Sequence, residues 1–270
     1  MSKYYSGKEL QMRHKKSEIS VVFVIIWFVF VTFIVQAEVD PDSIMAMWLF
    51  DEGSGETAKD SSPNVNDAVF NGGVEWTTGK FGHGILFNGS DGYLSAQDSD
   101  SLDIGSEAMS IVAWLKADGW PSGWNHIVRK TPENPRIYIL GVHNTSLPFI
   151  FLKTETQQVS DIIGATSLPD GEWIHLAMTY DGAEVKIYVN GELDASTPAT
   201  GIVEASEGEL RIGRGDPAGY FSGILDEIAI FNIALDQDEI KNIMNGGFIG
   251  LLPVESKDKI CETWAKVKRF

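Results

Sequence analysis

Behind Trp48 and Phe50, the stretch "WLFDEGSGETAKDSS" places four carboxylates, Asp51, Glu52, Glu56 and Asp60, within ten residues. Side chains of this type at this spacing can serve as catalytic acids, as ligands for a hard cation, or as turn formers. A second acidic pair, Asp226 and Glu227, stands in "LDEIAIF". Alternation along a strand sends neighbouring side chains to opposite faces, so this pair is not expected to flank one bond. His83, His126, His143 and His175 are scattered, without the spacing of a zinc site. No serine sits in a nucleophile-elbow context. These residues are read as belonging to a protein that binds and does not catalyse.

The cation reading centres on Asp226. By alternation it shares a strand face with Ile228 and Ile230, which should be the buried one. An inward carboxylate needs a cation, an arginine or several N–H donors to be tolerated. Ca²⁺ takes about six to eight oxygens, which loops rich in Asp and Gly supply. Two readings stay open: Asp226 binds Ca²⁺, or it caps backbone amides while Asp51, Asp60 and Asp91 make Asx-turns.

Charge and export bound the partners. The 270-residue chain has a formal charge of −17. Met1 to Ala37 holds five basic and two acidic residues, which leaves 16 basic against 36 acidic in the remainder, a net charge of −20. So acidic a chain repels nucleic acid and attracts divalent cations. The run Ile19 to Val35 is apolar over 17 residues, follows a basic segment and precedes Ala37. This pattern predicts a signal peptide cleaved after Ala37, or a signal anchor if residues 19–35 stay in the membrane. Either way the remainder is expected to be secreted or extracytoplasmic. Cys261 is the single cysteine, so no disulfide can form within the chain.

Residues 38–250 read as one domain of short strands punctuated by turns, and residues 251–270 as a basic appendage. "EWIHLAMTYDGAEVKIYVNGELDAS" is the clearest piece: Val185, Ile187 and Val189 line one face, and Asn190-Gly191 marks a tight hairpin. About twelve strands at this spacing predict an all-β, two-sheet antiparallel sandwich. One short C-terminal helix is expected in "LDQDEIKNIMNGG", with Asp236 and Glu239 as a capping box and Gly246-Gly247 as its stop.

Five stretches, "WLFDEGSGETAKDSS", "GKFGHGILFNGSDGYL", "SIVAWLKA", "EWIHLAMTYDGAEVKIYVNGELDAS" and "FSGILDEIAIFNIALDQDEI", occur in the order found in laminin-G-like, concanavalin A-like jelly-roll domains. The chain resembles that family from about Met45 to Gly247. The resemblance implies two sheets of about six or seven strands, a role in binding carbohydrate or protein at cell surfaces, and a structural Ca²⁺. It also implies that the first and last strands run close together, which would bring Asp51 near Asp226, with Asp91 from a neighbouring loop. The family pattern F-x-G-x-D-D-Y stands here as Phe87, Gly89, Asp91, Gly92 and Tyr93, so its second carboxylate is a glycine. Glycosidases of this fold use E-x-D-x-x-E; Glu192 and Asp194 begin such a string, and the third carboxylate is missing.

Aromatic residues in loops supply the remaining candidates. Trp120 in "DGWPSGW" and Tyr220-Phe221 in "GDPAGYF" could stack on sugar rings, or could tuck inward and close the end of the sandwich. The expected ligand is a glycan or polysaccharide through Trp120, Tyr220 and Phe221, and the alternative is an extracellular protein. The expected cation is Ca²⁺ on Asp51, Asp91 and Asp226.

Overall fold

The computed structural model describes residues 39–121, 123–130, 136–215, 219–248 and 251. The expected leader at 1–37, and the tail at 251–270 apart from Leu251, lie outside these residues, as does Cys261. Among the described residues no helix is long and apolar enough to cross a membrane.

A short 3-10 turn, Pro41–Ser43, leads into β1 (Ile44–Trp48), β2 (Thr57–Ala58), β3 (Ala68–Asn71) and β4 (Val74–Thr78). Next come β5 (His83–Asn88), β6 (Tyr93–Ala96), β7 (Met109–Ala117) and β8 (Trp124–Lys130). The middle of the chain forms β9 (Tyr138–His143), β10 (Pro148–Lys153), β11 (Gln158–Ile163) and β12 (Ile174–Tyr180). β13 (Glu184–Val189), β14 (Glu192–Pro198), β15 (Leu210–Ile212), β16 (Ser222–Phe231) and α1 (Gln237–Gly246) complete it.

Two antiparallel sheets result. The first runs β14-β13-β12-β7-β16-β5-β4, with β1 also paired to β16. The second runs β11-β10-β9-β8-β15-β6-β3-β2. Each has eight strands where the resemblance implied six or seven, because short pieces such as the two-residue β2 extend the edges. The inner faces enclose a core that includes Trp48, Phe50, Phe87, Tyr138, Tyr180 and Phe221. The expected alternation holds in β13, where Val185 and Ile187 enter this core and Glu184 and Lys186 stay partly exposed. Its hairpin turns at Asn190 (φ 51°) and Gly191 (φ 77°), the pair of positive φ values that a tight two-residue turn demands.

A second apolar cluster lies on the outer side of the first sheet. There Ile240 and Ile243 of α1 pack with Val112, Ala177 and Phe231. The helix starts as its sequence predicts: Asp236 accepts from the Glu239 amide, and the Glu239 carboxylate accepts from the Asp236 amide.

Lys130 ends β8 fully buried. Its ammonium pairs with Asp98 and with Asp103 at 3.3 Å, and donates to the carbonyls of Ser206 and Gly208. The contact joins three chain segments, the β6–β7 loop, β8 and the β14–β15 loop, and Asp98 and Asp103 keep side-chain exposures of 33% and 22%. Lys130→Met should therefore cost near the lower end of the range for breaking a buried pair, about 3 kcal/mol, because both aspartates can rehydrate. At roughly 2–4 °C per kcal/mol the melting temperature should fall by about 6–12 °C, measured by thermal unfolding. A loss under about 2 °C would show that the ammonium contributes little.

Candidate functional site

The most perturbed carboxylates meet where β16 passes two partners on one edge. β5 pairs with Ser222–Leu225 of β16, and β1 pairs with Ile228–Phe231. On its other edge β16 follows β7, with one extra residue inserted between the Asp226–Trp114 and Ala229–Val112 pairs. Glu227 takes the left-handed conformation at this bulge (φ 47°). The extra residue overturns two expectations. Leu225 and Ile228 both enter the core, so Asp226 does not share a face with Ile228 and Ile230. Asp226 and Glu227 also do not diverge: both reach the segment around Phe81, on the side where Trp114 stands.

Asp226 is fully buried and its partners are N–H groups. Oδ2 accepts from the amides of Lys80 (2.7 Å) and Phe81 (2.9 Å), and Oδ1 from that of Glu227 (2.9 Å). Glu227 Oε2 accepts from the amide of Phe248 just beyond α1 (3.0 Å). Asp51, following β1, accepts from the His83 amide (3.0 Å). Burial pushes Asp226 up to about 7 against the pull of its three amides, and the Asp51 charge adds to the rise. Burial, then the Asp226 charge, drives Glu227 well above the usual carboxylate range. Asp51 is raised by burial as well, with the His83 amide opposing.

The structure brings Asp51 and Asp226 into one electrostatic cluster and leaves Asp91 elsewhere. Asp91 sits past the far end of β5, accepting from Asn88 Nδ2 (2.7 Å) and the Gly73 amide (3.0 Å). Gly92 beside it has no room for the family's second carboxylate: a Cβ there would lie 2.4 Å from the Gly73 carbonyl oxygen. Among the described residues no group of three His, Cys, Asp or Glu side chains is placed to hold a metal ion. Asp51, Asp91 and Asp226 therefore do not fit Ca²⁺ as one site, since Asp226 faces donors and Asp91 is remote. Two of the other opening carboxylates brace local backbone. Asp60 accepts from the amides of Met47, Ser62 and Asn66, and Glu52 from that of Lys59.

The three loop aromatics separate. Phe221 is fully buried, edge-on to Phe87 at 6.1 Å, so it closes the core and cannot serve as a ligand platform. Trp120 is partly buried against the same core, 6.4 Å from Phe221, and its indole N–H is buried without a partner. Tyr220 is partly exposed and bridges to Arg214. Its ring lies 5.3 Å from the Arg214 guanidinium, which also lies 4.6 Å from the ring of Tyr93 on β6. Leu94 and Ala96 enter the core, so the alternate residue Tyr93 faces outward. The outer face of this second sheet continues into Trp124, His126 and Phe149, with Trp124 4.7 Å from Phe149 and His126 5.5 Å from it. Tyr93 and Arg214 escaped the sequence reading because only the register of β15 on β6 places them beside Tyr220. The "RIGRG" string, with two arginines in an acidic domain, was the available signal.

Comparison with known proteins follows this geometry. The laminin-G family model described as concanavalin A-like lectin/glucanases superfamily matches residues 88–241. Pappalysin-1 of Mus musculus is 27% identical over 190 residues, 62% of this chain and 12% of that protein. The chain thus spans only a small part of this relative's length. Domain 4 of AbnA, a GH43 extracellular arabinanase from Geobacillus stearothermophilus in complex with arabinotriose, superposes with a TM-score of 0.60 and 18% identity. It covers 75% of this chain and 98% of its own. The binding domain of botulinum neurotoxin DC in complex with rat synaptotagmin II gives 0.60 and 17%, over 76% of this chain and 52% of that one. At these identities the structural likeness establishes the fold.

The carboxylate cluster makes a pH prediction. Asp226 titrates at its ordinary value of 3.8 when unfolded and near 7 in the fold. Between those values the folded state holds the proton more tightly, so the stability Asp226 contributes falls as pH rises through that window. Asp226→Asn keeps the side-chain shape and does not titrate. The melting-temperature advantage of wild type over Asp226→Asn is expected to be larger at pH 5 than at pH 8. Paired melting curves at the two pH values check this, and an advantage that grows toward pH 8 would refute it.

Proposed function

Because this chain belongs to the concanavalin A-like lectin/glucanase superfamily, we propose that it is an exported, non-catalytic module that binds carbohydrate at a cell surface or in the extracellular matrix. The observation that carries this reading is the pair of partly exposed rings, Tyr93 and Tyr220, flanking the Arg214 guanidinium outside the second sheet. Flat rings bind pyranose faces by CH–π contact and exclusion of water, and a fixed cation beside them orients hydroxyl or acidic groups. The fold neighbour in complex with arabinotriose supports a carbohydrate ligand. The non-catalytic part is supported by Asp226 and Glu227, which are closed off from solvent and spend their oxygens on backbone amides. Export is supported by the apolar run at 19–35 behind its basic flank.

A second reading is a protein-adhesion module tethered through residues 19–35. The neurotoxin domain bound to synaptotagmin favours it. A glycan array separates the two.

Tyr220→Ala should weaken glycan binding about fivefold or more, since a stacked ring adds about 1 kcal/mol beyond its area. It should leave the melting temperature within about 2 °C. Phe221→Ala should do the reverse, costing about 3–5 kcal/mol of stability as a core truncation. Undiminished glycan binding by a folded Tyr220→Ala protein would remove this ring from the site.

A further inference from the structure

Arginine occurs four times between residues 39 and 251, at positions 129, 136, 211 and 214. All four belong to one region of the second sheet: Arg129 on β8, Arg136 just before β9, Arg211 on β15 and Arg214 just after it. The lysines of the same stretch are distributed over both sheets, the β4–β5 turn and α1. Arg129 and Arg211 are cross-strand partners, and Leu210 and Ile212 on either side of Arg211 enter the core. Both guanidinium groups therefore share the outer face, where like charges directly opposite repel. Each is engaged within the fold, Arg211 with Glu209 at 2.6 Å. Four guanidinium groups are thus gathered in one region of a domain whose net charge is strongly negative.

Three of the arginines lie over rings. Arg136 is 4.8 Å from the ring of Phe151, Arg211 is 5.5 Å from Tyr93, and Arg214 is 4.6 Å from Tyr93 and 5.3 Å from Tyr220. A ring beneath a guanidinium holds its plane fixed and leaves the N–H edge for an acceptor. Arg214 is partly exposed and its Nε is buried without a hydrogen-bond partner, so the fold leaves that nitrogen unsatisfied and an acceptor can meet the group from its exposed side. Ser95 lies across from Arg211, and its hydroxyl oxygen accepts from Asn71 Nδ2 at 3.0 Å, which extends the polar strip.

We infer that this strip selects an acidic glycan, with Arg214 gripping a carboxylate or sulfate group while Tyr93 and Tyr220 carry the sugar rings. The inference rests on the carbohydrate reading above and adds the ligand's charge. A planar two-pronged donor matches two oxygens of either anion, and a point charge such as lysine does not. The net negative charge of the domain opposes such a ligand away from the guanidinium groups, so recognition and exclusion act together.

The test uses the full chain in mild detergent on matched neutral, uronate-bearing and sulfated oligosaccharides, at about 50 and about 300 mM NaCl. Acidic members should bind at least about tenfold tighter than their neutral counterparts at low salt, and this margin should shrink at high salt. Arg214→Gln should bring acidic binding down to the neutral level, with its melting temperature recorded alongside. If that variant unfolds, Arg214→Lys decides: it keeps the charge and loses the fork, and should lose several-fold of the margin. A preference confined to the uronate or the sulfated members supports the inference and identifies the anion. Equal binding of neutral and acidic glycans, or an acidic margin that survives both variants, overturns it and leaves the carbohydrate reading standing. Binding of no glycan at all overturns that reading, and this inference with it.

Discussion

The Asp226 carboxylate, accepting the amides of Lys80 and Phe81, is the contact on which the first sheet depends. β16 offers a single edge to two partners, β5 and then β1, and the strands cannot overlap. The turn after β4 fills the gap, and the amides of Lys80 and Phe81 would lose their acceptor if Asp226 were absent, at about 1–3 kcal/mol each. The turn fits because it is flanked by glycine. A Cβ at Gly79 would lie 2.5 Å from Asp226 Oδ2, and one at Gly82 would lie 2.1 Å from Asp51 Oδ1. Turn, carboxylates and bulge are therefore one device. The left-handed Glu227 is the conformational cost that turns Asp226 toward those amides.

The two outer faces have different fates. That of the first sheet is covered by α1 and by Phe248, whose amide Glu227 holds, so its chemistry is consumed in closing the fold. That of the second sheet carries rings and guanidinium groups around β15, and β15 itself is only three residues long. A short strand between β8 and β6 brings side chains from distant parts of the chain within reach of one another. Substitutions at the strip leave the junction at β16 untouched.

What the sequence made legible is local. The Asn190-Gly191 hairpin, the Asp236–Glu239 capping box and the alternation of β13 each depend on a few adjacent residues, and each is present. What it concealed depends on register. One inserted residue in β16 reverses in and out, so alternation misplaced Asp226 relative to Ile228. Phe221 and Tyr220 are adjacent and look alike in a loop, yet one enters the core and the other stays at the surface. Asp91 belongs with Asp51 by family order, but the length of β5 separates its end from the junction. Nothing in the composition of these segments carries that information; it lies in which strand each one meets.

The carboxylate cluster also shows why a displaced pKa does not by itself mark catalysis. A carboxyl that titrates near neutrality is what a general acid needs, and Asp226 has that property. A general acid must also reach its substrate. Asp226 is sealed beneath the β4–β5 turn with its oxygens directed to backbone amides, and Glu227 is held beneath the end of α1. Desolvation raises both values, and desolvation is here the consequence of closing a gap between two strands that share one edge. The perturbation records how tightly the junction is shut.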